Sequence, residues 1–237
     1  MWNQQIRNIM KFFYDLHIHS DLSPCGEKEM TPNNIVNMAK LKGLDVIAVT
    51  DHNTVANLTA LETVASNSGI KVLPGIEITS KEDVHILAYF RKCSDAENIG
   101  DTIYSSLPDM KLNTRIFGEQ NIYDGNDKVI GSLGKLLINA SSYSLTEIIQ
   151  MVMLRNGIVI PAHVEKKAYG IIGVLGFIPP DYGFKFVEVN DKHHDNKFLD
   201  SYTKIFNSDA HRLSDISEQI NYLECDGYED FLQQLNL

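Results

Sequence analysis

Long apolar runs are missing from this 237-residue chain. A membrane-spanning helix needs about 18 or more consecutive apolar residues, and no segment approaches that length, so no span is expected. Cysteine is scarce: Cys25, Cys93 and Cys225 lie far apart, form no CxxC and cannot all pair with one another. A disulfide framework is thereby excluded, and a reducing, cytoplasmic compartment is expected. The opening stretch MWNQQIRNIMKFF has neither the apolar region nor the small-residue cleavage site of a secretory signal. Met10 directly precedes the first strand-like run, and residues 1–9 read as an extension. Positive charge is also in deficit, with 21 Lys and Arg against 31 Asp and Glu, a net charge of −10 and a pI near 5.2. Such a surface repels phosphates, and no basic stripe with interleaved aromatics appears. No extended nucleic-acid surface is therefore expected, and an anionic substrate would need a local source of positive charge. P-loop, HExxH and GxSxG motifs are absent, and Gly170, Gly173 and Gly176 do not form GxGxxG.

What is present is ordinary globular composition, 43% apolar and 22% charged. At about 150 residues per domain the length fits one large domain over 1–237, or one domain carrying an insertion. Strand and helix patterns alternate. Strands are expected at 14–19, 45–50, 71–78, 84–90, 158–162, 186–190, 204–208 and 221–224. Helices are expected after Thr31-Pro32, over 55–68, and over 144–156, where Ser144 and Glu147 have capping-box spacing. This alternation favours an α/β fold with a parallel sheet, open or closed into a barrel. Residues 95–143 break the rhythm: they are polar, hold only short helical patterns, and read as an insertion over one end of the sheet.

The eight histidines and a set of acids fall at strand ends. His17 and His19 share one strand face by the period-two rule, and Asp15 is expected on it too. Asp51-His52 follows DVIAVT, Glu77 lies in PGIEI, His85 starts VHILAYF, His163 follows GIVIPA, and Asp209-Ala210-His211 follows KIFNS. In parallel α/β folds the strand C-termini converge on one rim, where sites form. Mixed imidazole and carboxylate donors suit zinc, iron or manganese. One zinc takes about three protein ligands plus water. Eight or nine candidates therefore point to two or three divalent ions.

In order, DLHIHS, TDHNT, PGIEIT, VHILAYF, PAHV and NSDAH resemble the motifs of the polymerase-and-histidinol-phosphatase (PHP) family. The resemblance covers roughly 14–91 and 158–224. It implies a distorted (βα)7 barrel with a trinuclear metal site and metal-dependent hydrolysis of phosphoesters. Carried over position by position, it makes His17, His19, His52, Glu77, His85, His163, Asp209 and His211 metal ligands. The family's remaining ligand lies a few residues after HxH; here Cys25 is the candidate and Asp21 the competing acid. A thiolate suits zinc or iron(II) better than manganese. Asp209, His211 and Asp51 are the expected catalytic groups, Asp51 by orienting a ligand histidine. Lys166, Arg212 and His194 are candidates for holding substrate. His193 and Lys167 are further rim residues that read more simply as solvated surface.

Metal ions neutralise phosphoryl oxygens and lower the pKa of bound water to about 7, so an acidic chain can still act on an anionic ester. The expected partner is a small phosphorylated substrate, a phosphomonoester or phosphodiester. Hydrolysis of a non-phosphate bond and a non-catalytic metal-binding or partner-binding module are the alternatives. The second would be signalled by missing ligands, and with Cys25 no position is empty. The 95–143 segment contains no histidine and is expected to shape substrate choice without taking part in the chemistry.

Overall fold

The computed structural model describes residues 9–190 and 197–237. The elements run β1 (Met10–Ile18), α1 (Pro32–Leu41), β2 (Val46–Val49), α2 (Leu58–Ala65), β3 (Lys71–Val72), β4 (Gly75–Thr79), β5 (His85–Tyr89), α3 (Cys93–Ser106), α4 (Thr114–Phe117), β6 (Asn121–Tyr123), β7 (Val129–Ser132), α5 (Leu145–Met153), β8 (Ile158–Pro161), α6 (Ile171–Leu175), β9 (Phe186–Glu188), β10 (Thr203–Ile205), β11 (Tyr222–Cys225) and α7 (Tyr228–Gln234). No helix among the described residues is long and apolar enough to cross a membrane.

The fold is mixed α/β, and among the described residues the strands do not close into the expected (βα)7 barrel. The strands form separate sheets in the orders β11-β1-β2-β3, β4-β5-β8, β10-β9 and β6-β7. β1, β2 and β3 run parallel, as do β9 and β10, but β5 is antiparallel to both β4 and β8. The short link Ser80–Val84 allows only a hairpin-like return, whereas a parallel pair needs a crossover of a dozen or more residues. One rim is where three of these four groups of strands, all but β6-β7, are stitched together. Single bridges join Ile18 to Ala210 and His52 to Glu77, and the Val164 N–H donates to the Glu188 carbonyl.

The antiparallel return explains how His85 reaches this rim from the beginning of its strand. It pairs with Thr79 at the end of β4. In β1 the pairing register shifts between Asp15 and Ile18. Tyr14 and Leu16 pack in one core cluster, while Ile18 packs in another with Ile47 and Val49. The alternation is therefore broken between them. His17 turns to the site, whereas Asp15, expected on the same face, turns away and accepts from the backbone N–H of Ser208 and Ser217.

Two helices show how the sequence builds the outer layer. α5 begins with the expected capping box, the Ser144 side chain accepting from the Glu147 N–H and the Glu147 carboxylate from the Ser144 N–H. α3 is longer than the short patterns expected there. Ala96, Ile99 and Ile103 recur at helical spacing, are fully buried, and join the cluster of Ile76, Ile86, Ile148 and Val152. Its opposite face is polar, which hid the periodicity. Replacing Ile99 with Ala should cost about 2–5 kcal/mol of stability, as for other large-to-small core changes. Urea unfolding of the metal-free protein measures it, and a change under about 0.5 kcal/mol would show that α3 is not part of the core.

Candidate metal centre

One carboxylate stands at the centre of the stitched rim. Glu77, in β4, is 1% exposed. Its Oε2 lies 2.9 Å from His52 Nδ1 and 3.4 Å from His19 Nε2. Its Oε1 lies 2.9 Å from His85 Nδ1, 3.3 Å from His163 Nε2 and 3.5 Å from His17 Nε2. Burial opposes ionisation of Glu77, but the imidazoles of His85, His52 and His17 outweigh it and hold the carboxyl well below its usual range. Asp209 adds a second acid, its Oδ1 3.3 Å from Nε2 of both His17 and His19.

A second layer decides which ring nitrogens face inward. Glu188, fully buried in β9, accepts from His17 Nδ1 at 2.9 and 3.0 Å. It also accepts from Asn207 Nδ2 at 2.8 Å and from the His163 N–H at 2.9 Å. With its Nδ1 proton committed to Glu188, His17 would turn an Nε2 lone pair to the centre on binding an ion, although without one burial is outweighed by the neighbouring carboxylates of Glu188, Asp209 and Glu77, which favour its protonated form. The Ser23 hydroxyl donates to Asp51 at 2.6 Å, so its oxygen accepts from His19 Nδ1 at 3.1 Å. His19 therefore also presents an Nε2 lone pair, 3.2 Å from that of His17. His211 Nδ1 donates to the Asp209 carbonyl at 2.8 Å, which frees its Nε2 in the same manner. These tautomers follow from the hydrogen-bond network.

The donor set fits metal ions. His52 Nδ1, His85 Nδ1, His163 Nδ1 and both oxygens of Glu77 are buried without a hydrogen bond of good geometry. Buried polar atoms are rarely left so. A cation shared by nitrogen and carboxylate donors satisfies them together. Three overlapping groups place one ligand atom per residue within 4.8 Å of one another: His19, Cys25, His52 and His211; His17, His19 and Glu77; His52, Glu77 and His85. The structure thus brings together at one rim all nine residues expected as ligands. Asp21 does not join them. It accepts instead from the Tyr123 hydroxyl at 2.5 Å and lines a separate groove with residues 114–123.

Other expectations change. Asp51 does not line the cavity over the cluster and is saturated by the Ser20 N–H and by the Ser20 and Ser23 hydroxyls. Its contact with Ser23, which in turn meets His19 Nδ1, places it behind that imidazole, in keeping with an orienting role. Arg212 is exposed, pairs with Glu27 at 2.9 Å and does not line the cavity. Lys166 does line it, its Nζ 2.5 Å from Asp209 Oδ2. His193 and His194 lie outside the described residues. Sequence reasoning missed Glu188, whose signal was a lone acid inside the apolar strand FVEVN, and Tyr169, whose ring stacks on His85. The cavity has a volume of about 260 Å³, and Ile138 is the contribution of the 95–143 segment to its wall.

The profile of the PHP domain matches residues 15–156, which include His17, His19, Cys25, His52, Glu77 and His85 and run through the 95–143 segment, and ends before His163, Asp209 and His211. The chain belongs to the PHP domain family. A 5′-3′ exoribonuclease of Haemophilus influenzae is 34% identical over 77 residues, 31% of this chain and 27% of that protein. A phosphoribosyl 1,2-cyclic phosphate 1,2-diphosphodiesterase of Eggerthella lenta is 33% identical over 78 residues, 31% of this chain and 29% of its own length. This chain therefore spans less than a third of those relatives. Among solved structures, the lesion-specific endonuclease Q of Pyrococcus furiosus is 22% identical with a TM-score of 0.62, covering 86% of this chain and 49% of that one. An endonuclease Q structure holding a 27-mer duplex with an abasic lesion is 20% identical, with a TM-score of 0.63 over 86% of this chain and 50% of that one. These likenesses correct the expected partner. A small phosphorylated substrate, with no extended nucleic-acid surface, does not stand beside relatives named as exoribonucleases and a shared fold seen on duplex DNA. Net charge was the wrong guide, because it averages over a surface far larger than one catalytic rim.

The three cysteines differ enough to test the site directly. Desolvation raises the Cys25 thiol, but hydrogen bonds from His211 and His52 outweigh it and bring the pKa down to about 7. Burial and Glu62 push Cys93 up to about 12, and burial and Asp230 push Cys225 up to about 11. Alkylation requires thiolate. In metal-free protein, Cys25 should therefore be alkylated with a half-maximal rate near pH 7, while Cys93 and Cys225 stay unreactive there. Peptide mapping across a pH series checks this; a Cys25 profile centred near pH 9 would remove its sulfur from the imidazole cluster.

Proposed function

We propose that this chain is a metal-dependent phosphoesterase that hydrolyses phosphodiester bonds in nucleic acid at a multinuclear site. The observation that carries the reading is Glu77, a buried carboxylate approached by five imidazoles, with both of its oxygens and Nδ1 of His52, His85 and His163 left without a hydrogen bond. His17, His19, Glu77 and Asp209 would hold one ion, and His52, Glu77 and His85, with His163 beside them, a second. His19, Cys25, His52 and His211 would hold a third. Bound ions supply Lewis acidity and water of lowered pKa. The protein supplies the rest. Glu188, Ser23 and the Asp209 carbonyl lock three imidazoles in the ligating tautomer. Lys166 places positive charge at the cavity, where it offsets a phosphodiester's charge, and in the structure it is held there by Asp209. The left-handed backbone of Asn53, His163 and Asp209 concentrates at the strand ends that carry the cluster. Strain of this kind, about 1–3 kcal/mol per residue, persists where the surrounding structure over-determines a site.

The nucleic-acid substrate is supported by the names of relatives that match 31% of the chain. A non-catalytic module is disfavoured because no ligand position is lost. Protein purified without chelator and reconstituted should carry two or three ions and shorten a single-stranded oligonucleotide. Glu77→Gln should lose both properties while circular dichroism shows an intact fold. Less than about 1.5 ions per chain would count against a multinuclear centre, given about three protein ligands per ion. An oligonucleotide left intact by fully loaded protein would overturn the substrate reading.

The outer layer has its own test. Glu188→Gln keeps the size of the side chain but weakens its grip on His17, and changes of that kind typically cost roughly 10–100-fold in metal affinity. Competition against a chromogenic chelator reads this without turnover, and unchanged affinity would make Glu188 a packing residue only.

A further inference from the structure

The loop between His163 and α6 carries a residue that the metal centre does not need. Tyr169 has φ +63°, a left-handed conformation that is a genuine outlier for a bulky residue. The loop cannot relax it. A Cβ on the next residue, Gly170, would stand 2.3 Å from the Lys166 carbonyl oxygen and 2.8 Å from that of His163. The main chain is drawn tight over its own turn, and the tyrosine ring is thereby held at the cavity. The Tyr169 carbonyl already accepts from the His85 N–H at 2.9 Å, so the start of β5 is anchored by backbone alone. The ring lies flat on His85, centroids 4.4 Å apart and planes 18° from parallel, yet Tyr169 stays 44% exposed. One face is committed to a candidate ligand, and the residue still borders open space.

The cavity wall divides by chemistry. Seven of its lining residues are candidate metal ligands, Lys166 is an eighth polar group, and the remaining wall is Ile138, Ala168 and Tyr169. An anionic group belongs with the ligands and Lys166. A flat apolar group joined to it belongs on the tyrosine. A nucleotide is that combination: a phosphate linked through a sugar to an aromatic base. We propose that Tyr169 is a specificity-determining residue, the platform on which the base beside the scissile phosphodiester stacks, with Ile138 from the 95–143 segment flanking it. The proposal rests on the nucleic-acid reading above and adds where the base is held. Stacking on an aromatic ring tolerates any base, because every base presents a π face.

The test uses metal-loaded wild type, Tyr169→Leu and Tyr169→Phe. For each, kcat/KM is measured on a dinucleotide diester and on the matching sugar-phosphate diester without bases. Tyr169→Leu should lower the ratio of the two about tenfold, within the range seen for loss of one base–aromatic stack, while Tyr169→Phe keeps it. Metal content is measured on the same samples. An unchanged ratio in Tyr169→Leu overturns the proposal. So does an equal fall on both diesters accompanied by metal loss, which would make the ring a buttress for His85. Equilibrium affinity for a mononucleotide against a ribose phosphate gives the same ratio without turnover. If loaded wild type cleaves neither diester, the phosphodiesterase reading fails, and the affinity ratio still decides the role of Tyr169.

Discussion

A single carboxylate buried among imidazoles sets the terms for the rest of this structure. An ionised carboxylate offers about four acceptor positions, and each must be filled if water is excluded. Around Glu77 five rings approach within 3.5 Å, but the hydrogen-bond geometry is poor, and both oxygens remain without an aligned donor. Packing so many polar groups together is costly unless a charge of the opposite sign is shared between them. Imidazole lone pairs and carboxylate oxygens pointing at common space are the arrangement a cation stabilises. The strand ends, the register shift in β1 and the antiparallel return of β5 all serve to aim donors at that space.

Protonation ties the centre to its surroundings. Without an ion, neighbouring rings are driven apart. Burial brings His19 down to about 3, with the positive charge of His52 and His17 adding to the effect. Burial also opposes protonation of His52, but Glu77 and Cys25 outweigh it and push that ring up to about 10. Two histidines with ring centroids 4.6 Å apart thus sit in opposite protonation states at neutral pH. Ligation requires both rings neutral and Cys25 as thiolate, so ion binding displaces protons and weakens as the pH falls. The carboxylate behind His17 and the serine behind His19 limit this competition by fixing where each ring's remaining proton sits.

The ligand set was legible in the sequence because it is local: each donor follows or begins a short apolar run, and six such runs recur in order. The α5 capping box was legible for the same reason. What the sequence concealed is non-local. Glu188 acts through His17, 171 residues earlier in the chain, and only the meeting of β9 with β1 reveals it. Asp15 was expected on the face of His17 and His19 under strict alternation, and a register shift of the kind found in β1 leaves no mark in residue types. The parallel sheet was over-read from strand–helix alternation, and the barrel came only with the family resemblance, because a two-strand return through Ser80–Val84 looks the same as a truncated crossover. Tyr169 belongs to no motif. Its position follows from the tight turn at Gly170, and backbone conformation at a single tyrosine is not written in composition.

Charge was the most misleading of the global signals, and the reason bears on how this protein meets its substrate. A net charge of −10 describes the whole surface, whereas a phosphodiester feels charges within about 8–10 Å at ordinary ionic strength. Within that range of the cavity, Lys166 and the divalent ions proposed for the cluster would oppose the carboxylates of Glu77 and Asp209 and reverse the local sign. An acidic exterior then gains little from long-range attraction or from neutralising successive phosphates, which is where non-specific nucleic-acid affinity usually originates. Recognition has to come from contacts close to the scissile bond. A site deep enough to take one phosphodiester, walled on one side by ligands and on the other by an aromatic ring, supplies such contacts. On the proposed nucleic-acid reading, the accessible part of a strand, an end or an extruded nucleotide, is the form best matched to such a site.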